Sequence, residues 1–193
     1  MPPTLYVIRH AQGDHNVNVQ RTIQTAAYTF APELEKRQIP MVLVPKAQEI
    51  SSLACDIGHD AEVTISEAPK LIADAAPLWD ASYLDTTLVN ESWNSKKGIY
   101  ASSLSAVHQR AAEMRNWIYN RPERHIALVT HGGFLHYFTE DWTGYVKGKE
   151  FTEDSNEEES HLRECGSTQE KQARPAGLDA HLIHEIDEVE KAS

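Results

Sequence analysis

Cysteine is scarce. Cys55 and Cys165 are the only two in 193 residues, far apart and without the close Cys/His spacing that a zinc site needs. That excludes a disulfide framework and points to a reduced setting, cytoplasmic or nuclear, where cysteines stay as thiols. Positive charge is scarce too: 18 Lys and Arg stand against 29 Asp and Glu, for a net charge of −11. Neutralising nucleic-acid phosphates takes clustered Lys and Arg, so nucleic acid is not an expected partner. No apolar run approaches the roughly 20 residues that cross a bilayer. MPPTLYVIRH also lacks the basic start and cleavage site of a secretory signal, so no membrane partner is expected. P-loop, GxSxG and dinucleotide fingerprints are missing. His15, His59, His108 and His136 show no tight ligand spacing, and neither a cofactor nor a metal is expected.

What is present divides the chain in two. Residues 1–152 have the composition of one globular domain, in a chain that is 40% apolar. Residues 153–193 hold −8 of the −11 charge and no sustained periodicity. Their composition predicts a disordered acidic tail, with a helical turn or two over 182–189.

Within the first part, TLYVIRH (4–10) is a run of β-formers and predicts a buried strand. Residues 11–19 read as a polar loop. Ile23, Ala26, Ala27 and Phe30 give 20–37 a helical stripe that Pro32 is expected to bend or end. A strand is expected over 40–45, loop with short turns over 47–63, and a helix over 66–75 capped at Ser66 or Ser51. The aromatic-rich stretch 77–102 reads as an irregular pocket wall. Leu104, Val107, Ala111, Met114 and Ile118 mark a helix over 102–122. HIALVT then repeats the opening pattern, an apolar strand ending in His131, with a helix starting at Gly132 and Gly133. Alternating strands and helices predict an α/β fold, a small mostly parallel sheet flanked by helices. Its ligand site lies at the carboxyl edge of the strands, where His10 and His131 both fall.

Those residues suit phosphoryl transfer. A neutral imidazole can attack phosphorus and form a phosphohistidine, which divides one difficult displacement into two easier ones. The equatorial oxygens carry the charge, so guanidinium forks and helix N-termini supply most of the stabilisation. Arg9 stands beside His10, and Arg21 opens the next helix. His131 can donate to an oxygen. A carboxylic acid must protonate the leaving oxygen and later activate water, and Glu49 or the nearby Asp56 can do so.

RHAQGDHN, then RTIQTA, QE and THGG, in that order, resemble the histidine phosphatase superfamily in its phosphoglycerate-mutase-like branch. The resemblance implies that His10 is the phosphorylated histidine and that Arg9, Arg21 and His131 form the phosphate pocket. It adds Asn16 as a further pocket contact and makes Glu49 the proton donor. Mutase members carry an ERHYG-like stretch at the acidic position, whereas Glu49 is followed by ISSLACDIGHD. The resemblance therefore favours a cofactor-independent phosphatase acting on a small phosphorylated metabolite. It leaves the oligomeric state open.

The chain also departs from that pattern. Between the RH pair and RTIQTA the family carries a helix and a whole strand, but here only residues 11–20 intervene, too few for a full parallel crossover. A last family strand has only 145–152 as its candidate. The chain thus reads as a member from which an internal segment is missing between residues 19 and 21. Backbone groups that the absent strand would pair are expected to lack partners. Ten residues span about 33 Å when extended, enough for Arg21 to reach the pocket. The same gap supports an alternative reading, a catalytically impaired pseudo-enzyme or a phosphate-binding regulatory module.

Overall fold

A computed structural model describes residues 2–11 and 18–142. Asn16, the acidic tail 153–193, the stretch 182–189 and the strand candidate 145–152 lie outside the described residues.

The architecture is α/β with parallel strands. In chain order the elements are β1 (Thr4–Arg9), α1 (Asn18–Arg37), β2 (Met41–Val42), α2 (Ala61–Ala75), β3 (Leu84–Asp85), α3 (Leu104–Tyr119), β4 (His125–Thr130) and α4 (Gly132–Thr139). The strands do not form one sheet. β1 pairs with β4 and β2 pairs with β3, both in parallel.

Two apolar cores correspond to the two pairs. One gathers Val107, Ala111, Met114 and Ile118 of α3 with Leu128, Phe134 and Phe138. The other joins Ile23, Ala27 and Leu34 of α1 to Ala68 and Ile72 of α2. Each fully buried aliphatic side chain contributes roughly 1.5–3 kcal/mol, so both clusters hold real stability. Between them runs a cavity of about 640 Å³, bounded by Val42 and Val44 on one side and Ala127 and Val129 on the other.

Strand parity explains that cavity. Thr4 N–H donates to the Arg124 carbonyl and His10 N–H to the Thr130 carbonyl. The alternation of a parallel ladder then directs Ile126, Leu128 and Thr130 to β1, and turns the N–H and C=O groups of Ala127 and Val129 toward the cavity. Leu43 N–H likewise bonds the Asp85 carbonyl, which turns the Val42 peptide groups away from β3. Two strand edges therefore face each other across the cavity.

Several local expectations are corrected. Pro32 does not end α1, which continues to Arg37. Proline removes the bond to the carbonyl four residues back, on Tyr28, and Tyr28 is exposed to water that can take its place. The strand expected over 40–45 shortens to Met41–Val42 and runs into a turn at Pro45–Ala47. α2 starts at Ala61 with Asp60 at its N-cap, so neither Ser66 nor Ser51 caps it. Ser66 donates within the helix to the Val63 carbonyl. The stretch 77–102 is not wholly irregular, since it contributes β3.

Candidate active site

β1 and β4 run parallel with Arg9 opposite Thr130, so both strands reach the same edge and the next residues, His10 and His131, stand side by side. Their rings meet with centroids 4.9 Å apart and planes at 64°. His10 Nδ1 lies 2.8 Å from the Ala11 carbonyl. A carbonyl only accepts, so Nδ1 carries the proton and Nε2 keeps the lone pair. Ala11 N–H in turn donates to Thr25 Oγ1 at 3.0 Å, which ties the strand end to α1.

Both imidazoles are neutral at pH 7. The His10 pKa is lowered from 6.5 to about 4: burial is the main cause, the Ala11 hydrogen bond opposes it, Arg21 and Arg9 add to it, and the Asp56 charge also opposes it. His131 is 2% exposed. Burial holds it well below 6.5, assisted by His10, Lys96, Arg21 and Arg110. A neutral imidazole beside two guanidiniums is the form that attacks phosphorus.

The cations approach from two directions. Arg9 ends β1, and its guanidinium packs under the start of α4: a Cβ on Gly132 would meet Arg9 Nε at 2.9 Å. Arg21 sits in the first turn of α1, with Nη2 donating to the Cys55 carbonyl at 3.4 Å. Its Nε is buried without a partner among the described residues, as is His131 Nδ1. Buried polar groups nearly always find partners, and an oxyanion seated here would supply acceptors. Arg21 lies close enough for its charge to act on His10.

Glu49 comes to the start of α4, just after His131. Its carboxylate lies under α4: Oε1 accepts from Ile50 N–H at 2.9 Å and Phe134 N–H at 3.0 Å, and Oε2 from Gly133 N–H at 3.4 Å. Gly133 is glycine because a Cβ there would come within 2.6 Å of Glu49 Oε1. Asp56 is buried as well, and Ser51 Oγ donates to its Oδ2 at 2.5 Å.

Two residues escaped the sequence reading. Arg110 is fully buried, with Nη1 donating to the Gln48 carbonyl at 2.8 Å and its guanidinium 5.3 Å from the Phe134 ring centre. Burial lowers its pKa to about 10, and the Glu49 charge opposes that. Its position three after Val107 and four before Met114 placed it on the buried stripe, and that was the available signal. Lys96 holds a left-handed φ of 51° and donates from Nζ to the Glu49 carbonyl at 2.9 Å. It lies in an aperiodic stretch that gave no signal. Among the described residues no group of three His, Cys, Asp or Glu side chains is arranged to hold a metal, and no helix is long and apolar enough to cross a membrane.

A family model, histidine phosphatase superfamily (branch 1), matches residues 18–152. That is more than half of the chain. The chain belongs to this superfamily. β1 with Arg9 and His10 precedes the first matched residue, so their place in the site rests on the geometry above. Neither a curated protein nor a solved structure matches the chain. Superfamily members generally hydrolyse phosphate esters and bind phosphorylated small molecules.

Proposed function

We propose that this chain is a phosphatase that hydrolyses a small phosphorylated metabolite through a phosphohistidine on His10, without a cofactor, in the cytoplasm or nucleus. The observation that carries this reading is the pair of neutral imidazoles, 4.9 Å between centroids, in the field of Arg9 and Arg21. His10 Nε2 attacks phosphorus. Arg9, Arg21 and His131 hold the equatorial oxygens as charge spreads over them, and Asn16 is a further contact implied by the resemblance. Water then attacks the phosphohistidine and releases phosphate.

The test is steady-state hydrolysis of p-nitrophenyl phosphate with and without chelator. Turnover is expected to survive the chelator and to vanish in His10→Ala; activity retained by that variant sinks the proposal.

The cavity between β2 and β4 favours a second reading. Division of the core places α1, which holds Arg21, in one apolar cluster and the β1–β4 pair, which holds the histidines, against the other. Under this reading the chain binds inorganic phosphate and turns nothing over. Calorimetric phosphate binding without hydrolysis of any aryl phosphate supports it, and measurable turnover removes it.

A further inference from the structure

The cavity between β2 and β4 is walled by peptide groups as well as by side chains. The bonds of Thr4 N–H and His10 N–H fix the parity of the β1–β4 ladder, which directs the N–H and C=O groups of Ala127 and Val129 into the cavity. On the facing side, Leu43 N–H bonds the Asp85 carbonyl, so the Val42 peptide groups point away from β3 and into the same space. Among the described residues, none of these groups takes a turn or loop partner. A buried amide left unpaired costs about 1–3 kcal/mol.

Most of the remaining lining is apolar, with Ile23, Phe30 and Leu34 from α1 and Trp117 and Ile118 from α3. Its charged side chains pair with each other, Arg37 with Glu33 and Arg121 with Glu123, so the lining carries no net charge. An apolar small molecule would cover the side chains and leave the amides of both edges unpaired. A folded second copy of this chain does not fit either. Each of its described strands is already paired along one edge, whereas an occupant here pairs along both. Residues 143–193 nowhere place three apolar residues in succession, and their carboxylates would lose water in the cavity. An isolated extended segment satisfies both edges with its own peptide groups. Residues 41–44 and 126–129 bound the space, which sets the length at about four residues, roughly 13 Å. A strand takes about 4.8 Å between neighbours and about 10 Å across a packed layer, so four residues fill roughly 620 Å³. The cavity measures about 640 Å³.

We propose that this cavity is a strand-docking site, where an extended, uncharged segment of a partner protein inserts and pairs with both β2 and β4. The segment is rich in β-branched residues, which suit a pleated and buried strand, and free of proline, which lacks the N–H that an edge requires. Its backbone bonds cross the division between the two apolar clusters and join the strand pair that carries His10 and His131 to the one packed beside α1. Docking here does not depend on the chemistry at His10.

Amide exchange of the full chain, read by NMR with a probe peptide, tests the site. The probe alternates valine and threonine between terminal lysines and is blocked at both ends. At saturation it is expected to slow exchange at Ala127 and Val129 by about tenfold or more and to leave Ile126 and Leu128, already bonded to β1, unchanged. The same peptide with N-methylated valines keeps its apolar surface and loses donors, and is expected to protect neither position. Val42→Pro removes one donor that faces the cavity and spares the Leu43 bond to β3. It is expected to weaken probe binding about tenfold. If that variant does not melt cooperatively, the methylated peptide tests the same pairing on the unaltered chain. Exchange at 127 and 129 unmoved by the probe, protection confined to Leu5 and Val7 on the outer edge of β1, or equal binding of the methylated peptide overturns the docking site.

Discussion

A Cβ on Gly133 would lie 2.6 Å from Glu49 Oε1 and 2.8 Å from Ile50 Cδ1. The glycine is there for room, since helix and carboxylate approach more closely than any side chain allows. Gly132 is tight as well, but its neighbour is the flexible guanidinium of Arg9. Alanine at the two positions should therefore behave differently. Gly133→Ala is expected to destabilise the fold by about 1–3 kcal/mol in urea unfolding, the usual cost of an overpacked core. Gly132→Ala should leave stability nearly unchanged and raise KM roughly tenfold, as loss of one charged hydrogen bond from Arg9 would. Equal effects of the two variants on unfolding would remove this distinction.

The His10 imidazole links activity and stability to pH. Its folded pKa is about 4, against 6.5 unperturbed. Above pH 6.5 the ring is neutral in both folded and unfolded chains. As pH falls below 6.5 the unfolded chain binds the proton first, so stability declines until folded His10 titrates near pH 4. The loss is on the order of 3 kcal/mol, and the lowered pKa of His131 acts in the same direction. Urea unfolding at pH 7 and pH 4.5 reads it, and His10→Asn should remove the His10 share. An NMR titration that places His10 near 6.5 would contradict the account.

Arg110 is a charge held out of water. Deleting it strands the Gln48 and Lys46 carbonyls that it bonds and removes a buried cation that the Glu49 charge stabilises. Arg110→Ala is expected to cost about 3–5 kcal/mol, seen as a large drop in the urea midpoint. A loss below 1 kcal/mol would mean that the guanidinium contributes little.

Hydrogen exchange should read the parity of β4. The Ile126 and Leu128 amides bond β1, while those of Ala127 and Val129 face the cavity. Exchange is expected to be faster at 127 and 129 than at 126 and 128. Equal protection would mean that the cavity edge is paired.

Much of this was legible in the residues, and the reasons are local. β1 and β4 are continuous apolar runs that each stop at a histidine, so the two strands and their shared edge followed together. β1 is not the buried strand expected, however: Thr4 and Tyr6 are exposed and the rest of it is half-buried. The stripe Leu104, Val107, Ala111, Met114 and Ile118 fixed α3. α2 was read late because the first residue of its buried face is Thr64, which hides the i, i+4 pattern that continues at Ala68 and Ile72. β3 is two residues long and is made by pairing with β2, a tertiary contact that no local pattern encodes. At the site, Arg9, His10, Arg21 and His131 converge as their order implied. Glu49 shows the limit of such reading: its order in the sequence pointed to the site, while its hydrogen bonds to the Gly133 and Phe134 amides could not be foreseen from spacing.

The most direct measurement is to trap the covalent intermediate. The full chain is mixed with radiolabelled aryl phosphate, quenched in alkali, where phosphohistidine survives, and mapped by peptide. The label is expected on His10 and absent from His10→Ala. Label on any other residue, or hydrolysis that continues unlabelled in the variant, would contradict the central claim.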